Sequence, residues 1–355
     1  LFLKSVHMKL IKFVLILAIF VEQVLACTTI SYVDNNNDVW VLKSFDFDNG
    51  SGRVFINQRN VMKKTLVPSK AYFSFKKWKS KYMSVTFNQA SRDYPYGGMN
   101  EEGLSVEIMW YDYTQYSYEK GKKLINESQV IQYLLDTRKN AKEAIEAIKE
   151  VNIIPFFAKV HYMICDKSNI CYAVEFLNNK IEVKEMPSDS KRILQNSTYE
   201  QTQKNVNKRI DNSRFSTQDI DFIFDVSNLA SEKSIVEHGF NSLESIRQGT
   251  WTKWQIVYNL NKKKFWFRTT DEMNIKKSEL SFYEPICSKT KSTKTIDINF
   301  TEEGEIEEKM ESFKNSMNLD MLNTFSELSS LIKNGGYVYN MFNNTCVTKR
   351  KRSRK

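Results

Sequence analysis

The sequence predicts a layered α+β fold. Runs rich in β-branched and aromatic residues follow one another in blocks, and amphipathic helical stretches do the same, whereas a repeated βαβ unit would alternate the two. The chain has 355 residues, 41% of them hydrophobic and 26% charged, so it is long and apolar enough to bury a large core. Its 11 Gly and 5 Pro exclude collagen-like and linker-dominated architectures.

The predicted elements open with a hairpin. Its strands, at 28–33 and 39–43, are separated by a turn of Asn and Asp residues. Two helices are expected in the middle of the chain, at 127–138 and 141–151, the second with Asn140 as its N-cap. The later elements are strands at 159–165, 171–176, 180–185, 191–195, 252–259 and 264–269, and helices at 199–210, 217–229 and 305–332. Gly97-Gly98 is interpreted as a turn.

Residues 1–26 predict a leader with a secretory signal peptide. Lys9 and Lys12 form a basic stretch before the apolar run 13–21, and the small residues at 24 and 26 favour cleavage just before Cys27. An uncleaved membrane anchor is the alternative. If the signal peptide is cleaved, we expect the protein to be secreted or to follow the secretory and lysosomal pathway.

The formal charge of +10 lies mostly at the ends of the chain. Residues 349–355 contribute +6 and residues 1–26 contribute +2, which leaves only +2 for the rest, so no nucleic acid is expected as a partner. We expect one domain over 27–345 and a basic tail over 346–355. The tail is either a solvated end or a segment that makes weak contact with an anionic membrane surface or another polyanion.

Export permits disulfides, and the five cysteines leave one unpaired after any complete pairing. Cys165 and Cys171 flank a turn-rich tetrapeptide between two predicted strands, so we expect them to pair across a hairpin. Five sequons also suit an exported glycoprotein, at Asn49, Asn126, Asn196, Asn299 and Asn343.

Cys27 is the residue that cleavage would expose, and three interpretations of it remain open. It is a structural cysteine in a disulfide, a lipidated cysteine that anchors the protein, or an N-terminal nucleophile whose own α-amine serves as the base. An α-amine titrates at about 7.7–8.0 and a thiol at about 8.5, so one residue can supply both attacker and base near neutral pH.

Other catalytic constellations are scarce outside the leader. Two histidines are present there: His161 on a predicted strand, interpreted as a packed core residue, and His238 in a predicted loop. No metal-ligand spacing and no phosphate-binding glycine loop occurs, so no cofactor is expected.

Two segments at the start of the predicted domain point to a known family. Cys27-Thr28-Thr29 followed by Lys43-Ser44-Phe45-Asp46 resembles the beginning of the choloylglycine hydrolase family of linear-amide hydrolases, to which bile salt hydrolases and penicillin V acylases belong. Further segments resemble this family in the same order, at 98–105, 161–175, 195–197, 213–215, 254–258 and 262–269. The resemblance implies that residues 27–345 form an N-terminal-nucleophile hydrolase domain. The fold of such a domain is a four-layer αββα sandwich.

The resemblance also implies a mechanism for cleaving the amide of a small N-acylated molecule. Cys27 would attack the carbonyl carbon and form a thioester, and Asp46 would hold the ammonium of the same residue. The Asn196 amide and the backbone N–H at Trp110 would stabilise the oxyanion. Arg214 would organise the charge around Asp46 and the thiolate.

Three departures from the family pattern accompany this assignment. Lys43 stands where the family has Arg, which replaces a planar fork of donors by a point charge that still lowers a thiol pKa. Trp110 replaces the usual Asn or Tyr and reshapes the pocket. The loop between Asn196 and Arg214 is shorter than in most bacterial members, which leaves the oligomeric state open.

The acyl group and the leaving amine are not specified, and a non-catalytic secreted or lipid-anchored binding protein on the same fold is the alternative function.

Overall fold

Two large β-sheets stack face to face in the computed structural model, which describes residues 27–65, 75–207, 216–287, 293–325 and 345–346. The strands are β1 (Thr28–Val33), β2 (Val39–Asp46), β3 (Arg53–Asn57), β4 (Val61–Lys64), β5 (Lys77–Lys79), β6 (Ser84–Asn88), β7 (Pro95–Asn100), β8 (Leu104–Trp110), β9 (Lys123–Asn126), β10 (Val151–Ile154), β11 (Val160–Asp166), β12 (Cys171–Leu177), β13 (Lys180–Met186), β14 (Arg192–Leu194), β15 (Thr252–Asn259), β16 (Lys264–Thr269), β17 (Lys276–Glu279), β18 (Lys294–Asp297), β19 (Gly304–Glu305), β20 (Glu311–Ser312) and β21 (Thr345–Cys346). The helices are α1 (Glu127–Thr137), α2 (Ala141–Lys149), α3 (Tyr199–Asn207), α4 (Thr217–Phe224), α5 (Glu232–Ser245) and α6 (Asn315–Asn323).

The sheets are built largely from antiparallel neighbours. Sheet A has seven strands in the order β14-β1-β2-β15-β16-β17-β19, and sheet B has nine in the order β13-β12-β11-β8-β7-β6-β3-β18-β20. Two small sheets, β10-β9 and β21-β4-β5, lie beside them. Because β1, β2 and β15 are neighbours in sheet A, residues from opposite ends of the chain meet at its centre.

Two apolar cores divide the molecule into layers. The larger core runs from sheet A through sheet B to the helix α1, and includes Val41, Phe45 and Ile256 of sheet A, Phe87 of sheet B and Leu134 of α1. The second core packs α4 and α5 on the other face of sheet A. Since α1 and α2 pack against strands of sheet B, the order of layers is helices, sheet A, sheet B, helices, which is the predicted αββα sandwich.

The local signals that predicted elements correctly are turns and caps. Asp34 shapes the turn between β1 and β2, because its Oδ1 accepts from the Asn36 and Asp38 backbone N–H groups at 2.8 and 2.9 Å. Asn140 caps α2 by accepting from the Glu143 backbone N–H at 2.9 Å. The Cys165–Cys171 disulfide is present across the β11–β12 hairpin, so that prediction is confirmed.

Three local predictions are wrong. The stretch 305–332 was predicted to be one helix. Its described part instead carries the end of the short edge strand β19, the short edge strand β20 and the helix α6. Residues 326–332 lie outside the described residues. His238 lies on α5 and not in a loop. The helix signal there is weakened by Gly239, where a Cβ would lie 2.8 Å from the Leu42 side chain, so close packing on sheet A selects glycine. The Gly97-Gly98 pair lies within β7 and is not a turn.

No helix in the described part of the chain is long and apolar enough to cross a membrane.

Candidate active site

Cys27 lies immediately before β1, the second strand from the β14 edge of sheet A. Its thiol is free and buried, with the side chain 7% exposed, and Sγ lies 3.8 Å from the backbone oxygen of Asp46. The interpretation of Cys27 as a disulfide cysteine is therefore wrong. Burial raises the pKa of this thiol, the Lys43 ammonium lowers it, and the Asp46 carboxylate raises it.

Lys43 joins the two sheets beside Cys27. The pairing of β1 with β2 sets Thr29 opposite Lys43, and the lysine side chain is almost completely buried. Its Nζ donates to the backbone oxygen of Ile108 on β8 and lies 3.4 Å from both Thr29 Oγ1 and Met109 Sδ. The sequence-predicted cation is thus held between sheet A and sheet B, with its charge near the thiol.

Asp46 is the last residue of β2, and two hydroxyl groups orient its carboxylate. Oδ1 accepts from Ser44 Oγ at 3.0 Å and from Thr252 Oγ1 at 2.5 Å. Thr252 is buried on β15, where it pairs with Asp46. Sequence reasoning did not find Thr252, because the pairing of β2 with β15 joins residues about two hundred positions apart and leaves no local pattern.

Asn196 lies two residues beyond the end of β14, which is the neighbour of β1 in sheet A. The antiparallel register pairs Thr29 with Leu194, and continuing it by two residues leads Asn196 to Cys27. The Asn196 side chain is buried, at 7% exposed, as expected for a sequon residue kept for the site. Arg214 lies outside the described residues.

Aromatic rings form one wall of this region. Phe47, which follows Asp46, has its ring centroid 6.4 Å from that of Trp110 at the end of β8 and 6.3 Å from that of Phe157. Phe325, just after α6, stacks on Phe47 with centroids 5.7 Å apart. The Trp110 indole Nε1–H donates to Asp112 Oδ1 at 2.6 Å. The wall is apolar and its members are half-buried or buried.

Glu107 is a buried carboxyl group on β8 that sequence reasoning missed. Its Oε1 accepts from the Gly98 backbone N–H at 3.0 Å, and a Cβ at Gly97 would lie 1.9 Å from its Oε2, so glycine makes room for the carboxyl group. Burial raises the pKa of Glu107 to about 8, although Lys43 acts to lower it. The signal that could have found it is an acidic residue at an inward position of an apolar strand.

Cys27, Lys43, Asp46 and Asn196 all lie in the part of the chain that a family model matches. The family model that describes linear amide C–N hydrolases of the choloylglycine hydrolase family matches residues 27–222, more than half of the chain. The chain belongs to the choloylglycine hydrolase family. It is therefore a hydrolase of the class that acts on carbon–nitrogen bonds in linear amides.

Solved structures share the choloylglycine hydrolase fold with this chain. Penicillin V acylase from Agrobacterium tumefaciens is 18% identical with a TM-score of 0.68, and the match covers 81% of this chain and 98% of the acylase. A variant of conjugated bile acid hydrolase from Clostridium perfringens is 20% identical with a TM-score of 0.62, covering 78% of this chain and 98% of the hydrolase. No curated protein matches by sequence. These similarities establish the α+β sandwich of N-terminal-nucleophile hydrolases for this chain.

Proposed function

We propose that this member of the family is an N-terminal cysteine hydrolase, which cleaves the amide of an N-acylated small molecule through a thioester. The observation that supports it is the position of Cys27. This residue, the first after the predicted signal peptide, carries a free buried thiol at the start of β1, with Lys43 and Asp46 close by.

The chemistry follows from one residue that holds two groups. Removal of residues 1–26 would give Cys27 a free α-amine, which accepts the thiol proton as Sγ attacks the carbonyl carbon. The Asn196 amide and the backbone N–H at Trp110 donate to the oxyanion of the tetrahedral intermediate. The ammonium returns its proton to the departing amine as the C–N bond breaks, and water then cleaves the thioester with the same amine as base.

The charges around the thiol suit this sequence of steps. Burial raises the pKa of the Cys27 thiol and favours its protonated form, so a base assists the attack. Lys43 partly offsets burial and stabilises the thiolate as it forms. Asp46, fixed by Ser44 and Thr252, would hold the α-ammonium, with Arg214 assisting.

The substrate we propose is a small N-acyl amide with an apolar acyl group. The aromatic wall of Phe47, Trp110 and Phe157 offers flat apolar contacts next to the nucleophile. The similar structures named above are a penicillin V acylase and a conjugated bile acid hydrolase, which supports a small N-acylated molecule as the substrate class.

We further propose that the protein travels the secretory route, which the leader and the Cys165–Cys171 disulfide support. Asn126 is unsuitable as a glycan acceptor because it is fully buried and its side chain caps α1. Weak contact of the basic tail with anionic surfaces stays a prediction, as does the oligomeric state.

The test is hydrolysis by the processed protein compared with its Cys27→Ser variant, under reducing conditions. Penicillin V, a conjugated bile acid and N-octanoyl-4-nitroaniline are the substrates, and the mass of the intact protein gives its first residue. We expect a protein that begins at an unmodified Cys27 to split at least one amide, and the variant to lose this activity with an unchanged far-UV circular dichroism spectrum. Acylation of Cys27, or full activity in Cys27→Ser, would contradict the proposal.

A further inference from the structure

A buried pair, His161 and Glu175, holds both ends of the segment that carries Asn196. The two residues lie on neighbouring strands, β11 and β12, whose register pairs Met163 with Ala173 and Cys165 with Cys171. Continuing that register brings His161 opposite Glu175. Both side chains are 0% exposed.

The first contact of this pair is with the residue before Asn196. His161 Nε2 lies 2.7 Å from the backbone oxygen of Gln195, and because a carbonyl oxygen only accepts, Nε2 carries the proton of this hydrogen bond. The other ring nitrogen, Nδ1, faces Glu175 Oε1 at 3.6 Å.

The second contact is on the other side of Asn196. Glu175 Oε1 accepts from the backbone N–H of Tyr199, the first residue of α3, at 2.9 Å. The segment from Gln195 to Tyr199 is therefore attached at both ends to one pair of side chains in sheet B, although it directly follows β14 of sheet A.

His161 also contacts the second predicted source of an oxyanion donor. Its ring stacks on Tyr111, with centroids 5.5 Å apart and an angle of 27° between the planes. Tyr111 directly follows Trp110, and β11 pairs with β8 so that Val160 is opposite Trp110. The same imidazole thus touches the neighbours of both groups expected to bind the oxyanion.

We propose that His161 and Glu175 are positioning residues that set the location of the Asn196 amide relative to Cys27. This inference rests on the proposed function, which makes Asn196 an oxyanion donor. Donors of this kind act only when they are held at hydrogen-bonding distance from the developing charge, so a small displacement of Asn196 lowers kcat more than it changes substrate binding.

The test compares variants that remove each contact with variants that keep it, using whichever of the three amides named above is hydrolysed fastest. His161→Phe keeps a flat ring and loses the bond to Gln195, whereas His161→Gln keeps a donor. We expect His161→Phe to lower kcat about 100-fold, the lower end of the effect of losing one oxyanion donor, with KM changed less than about threefold. His161→Gln should recover most of the rate.

A matched control exists on α5. His238 is also buried, and its Nε2 lies 3.1 Å from the backbone oxygen of Ile223, away from the candidate site. His238→Phe removes the same kind of bond, and we expect its kcat to remain within about threefold of the wild-type value. An equal loss of kcat in His161→Phe and His238→Phe would show a general effect of destabilisation and would overturn the proposal.

A double-variant comparison decides whether His161 acts through Asn196. In an Asn196→Ala background, His161→Phe should lower kcat by less than about threefold, because the donor that it positions is already gone. An equal reduction in both backgrounds, or an unchanged kcat in His161→Phe alone, would overturn the proposal. If His161→Phe does not fold, Glu175→Met is carried through the same two backgrounds with Glu175→Gln as its conservative partner, and the same outcomes decide. A wild-type rate in Asn196→Ala would instead contradict the proposed function itself.

Discussion

Cys27 shows at the scale of single residues how burial and charge compete. Burial is the largest influence on its thiol and favours the protonated form, while Lys43 is the main influence in the opposite direction. A lysine in place of the family's arginine supplies charge without a bidentate fork. Its ammonium is instead placed by neutral groups, the Ile108 carbonyl and the Met109 sulfur, so strand β8 determines where the charge lies.

Glu107 makes the stability of the protein depend on pH. Its pKa is raised from the usual 4.5 to about 8. Between these two pH values, the folded protein therefore keeps a proton on Glu107 that the unfolded chain has lost. This contribution is fully present below about pH 4.5 and is lost as pH rises through about 8, a loss of at most about 5 kcal/mol. We expect the free energy of unfolding of Glu107→Gln to fall less steeply between pH 5 and 8 than that of the wild type, measured by urea denaturation.

The control for this experiment is Glu146→Gln. Glu146 is an exposed carboxyl group paired with Lys149 on α2, so its variant should keep the wild-type dependence on pH. Buried Glu127 and Asp136, whose pKa values are also raised by burial, are present in all three proteins. A pH dependence in Glu107→Gln equal to that of the wild type would contradict the assignment.

At the scale of elements, a buried ion pair attaches the small sheet β21-β4-β5 to helix α1. Lys63 Nζ on β4 lies 2.9 Å from Asp136 Oδ2 on α1, and the same carboxylate accepts from the Trp78 indole N–H at 2.6 Å and from Gln132 Nε2 at 2.9 Å. Burial acts against both charges, since it raises the pKa of Asp136 and lowers that of Lys63. The pair is therefore stable only when both members are present.

We expect Lys63→Met to lower the free energy of unfolding by about 3–5 kcal/mol, because it leaves Asp136 as a buried charge without its cation. The double variant Lys63→Met with Asp136→Asn removes the charge and keeps an oxygen for Trp78, so it should recover at least half of that loss. Urea denaturation of the three proteins measures both effects. A double variant with a lower free energy of unfolding than Lys63→Met would contradict this prediction, because it would show that the neutral pair is less stable than the lone buried carboxylate.

At the scale of the whole molecule, the proposed reaction depends on where the chain begins. Cys27 is buried directly before β1, and a residue attached before it would turn its amine into an amide, which is not a base at neutral pH. We expect a protein that starts at Leu25 to show a kcat about 100- to 10,000-fold lower than one that starts at Cys27, the range typical of losing a catalytic base.

The measurement is kcat for the two proteins. The protein that starts at Cys27 is released from a tag by a protease whose cleavage makes Cys27 the first residue. Their far-UV circular dichroism spectra should agree, because the two extra residues precede β1 and leave its sequence unchanged. Equal kcat values would mean that the α-amine is not the base.

Local sequence patterns predicted many of the secondary-structure elements correctly. The β1–β2 hairpin, the Asn140 cap, the Cys165–Cys171 disulfide and the strands β15 and β16 all depend on neighbouring residues, and they form where the sequence predicts them. The family motifs around Cys27 and Asp46 also lie in one short stretch. Where local patterns were weak or misleading, as in α5 with its central Gly239 and in the charged stretch before α6, the predictions failed.

The sequence by itself predicted the α+β class through the order of its strand and helix patterns, and its resemblance to the choloylglycine hydrolase family predicted the candidate nucleophile and its nearest charged neighbours. Only the tertiary structure brought Thr252 to Asp46, Glu107 to the interior near Lys43, and His161 to the segment that carries Asn196. The physical reason is that these contacts depend on strand register and on the stacking of two sheets. Both are set by the packing of residues far apart in the chain, so neither is visible in any local pattern.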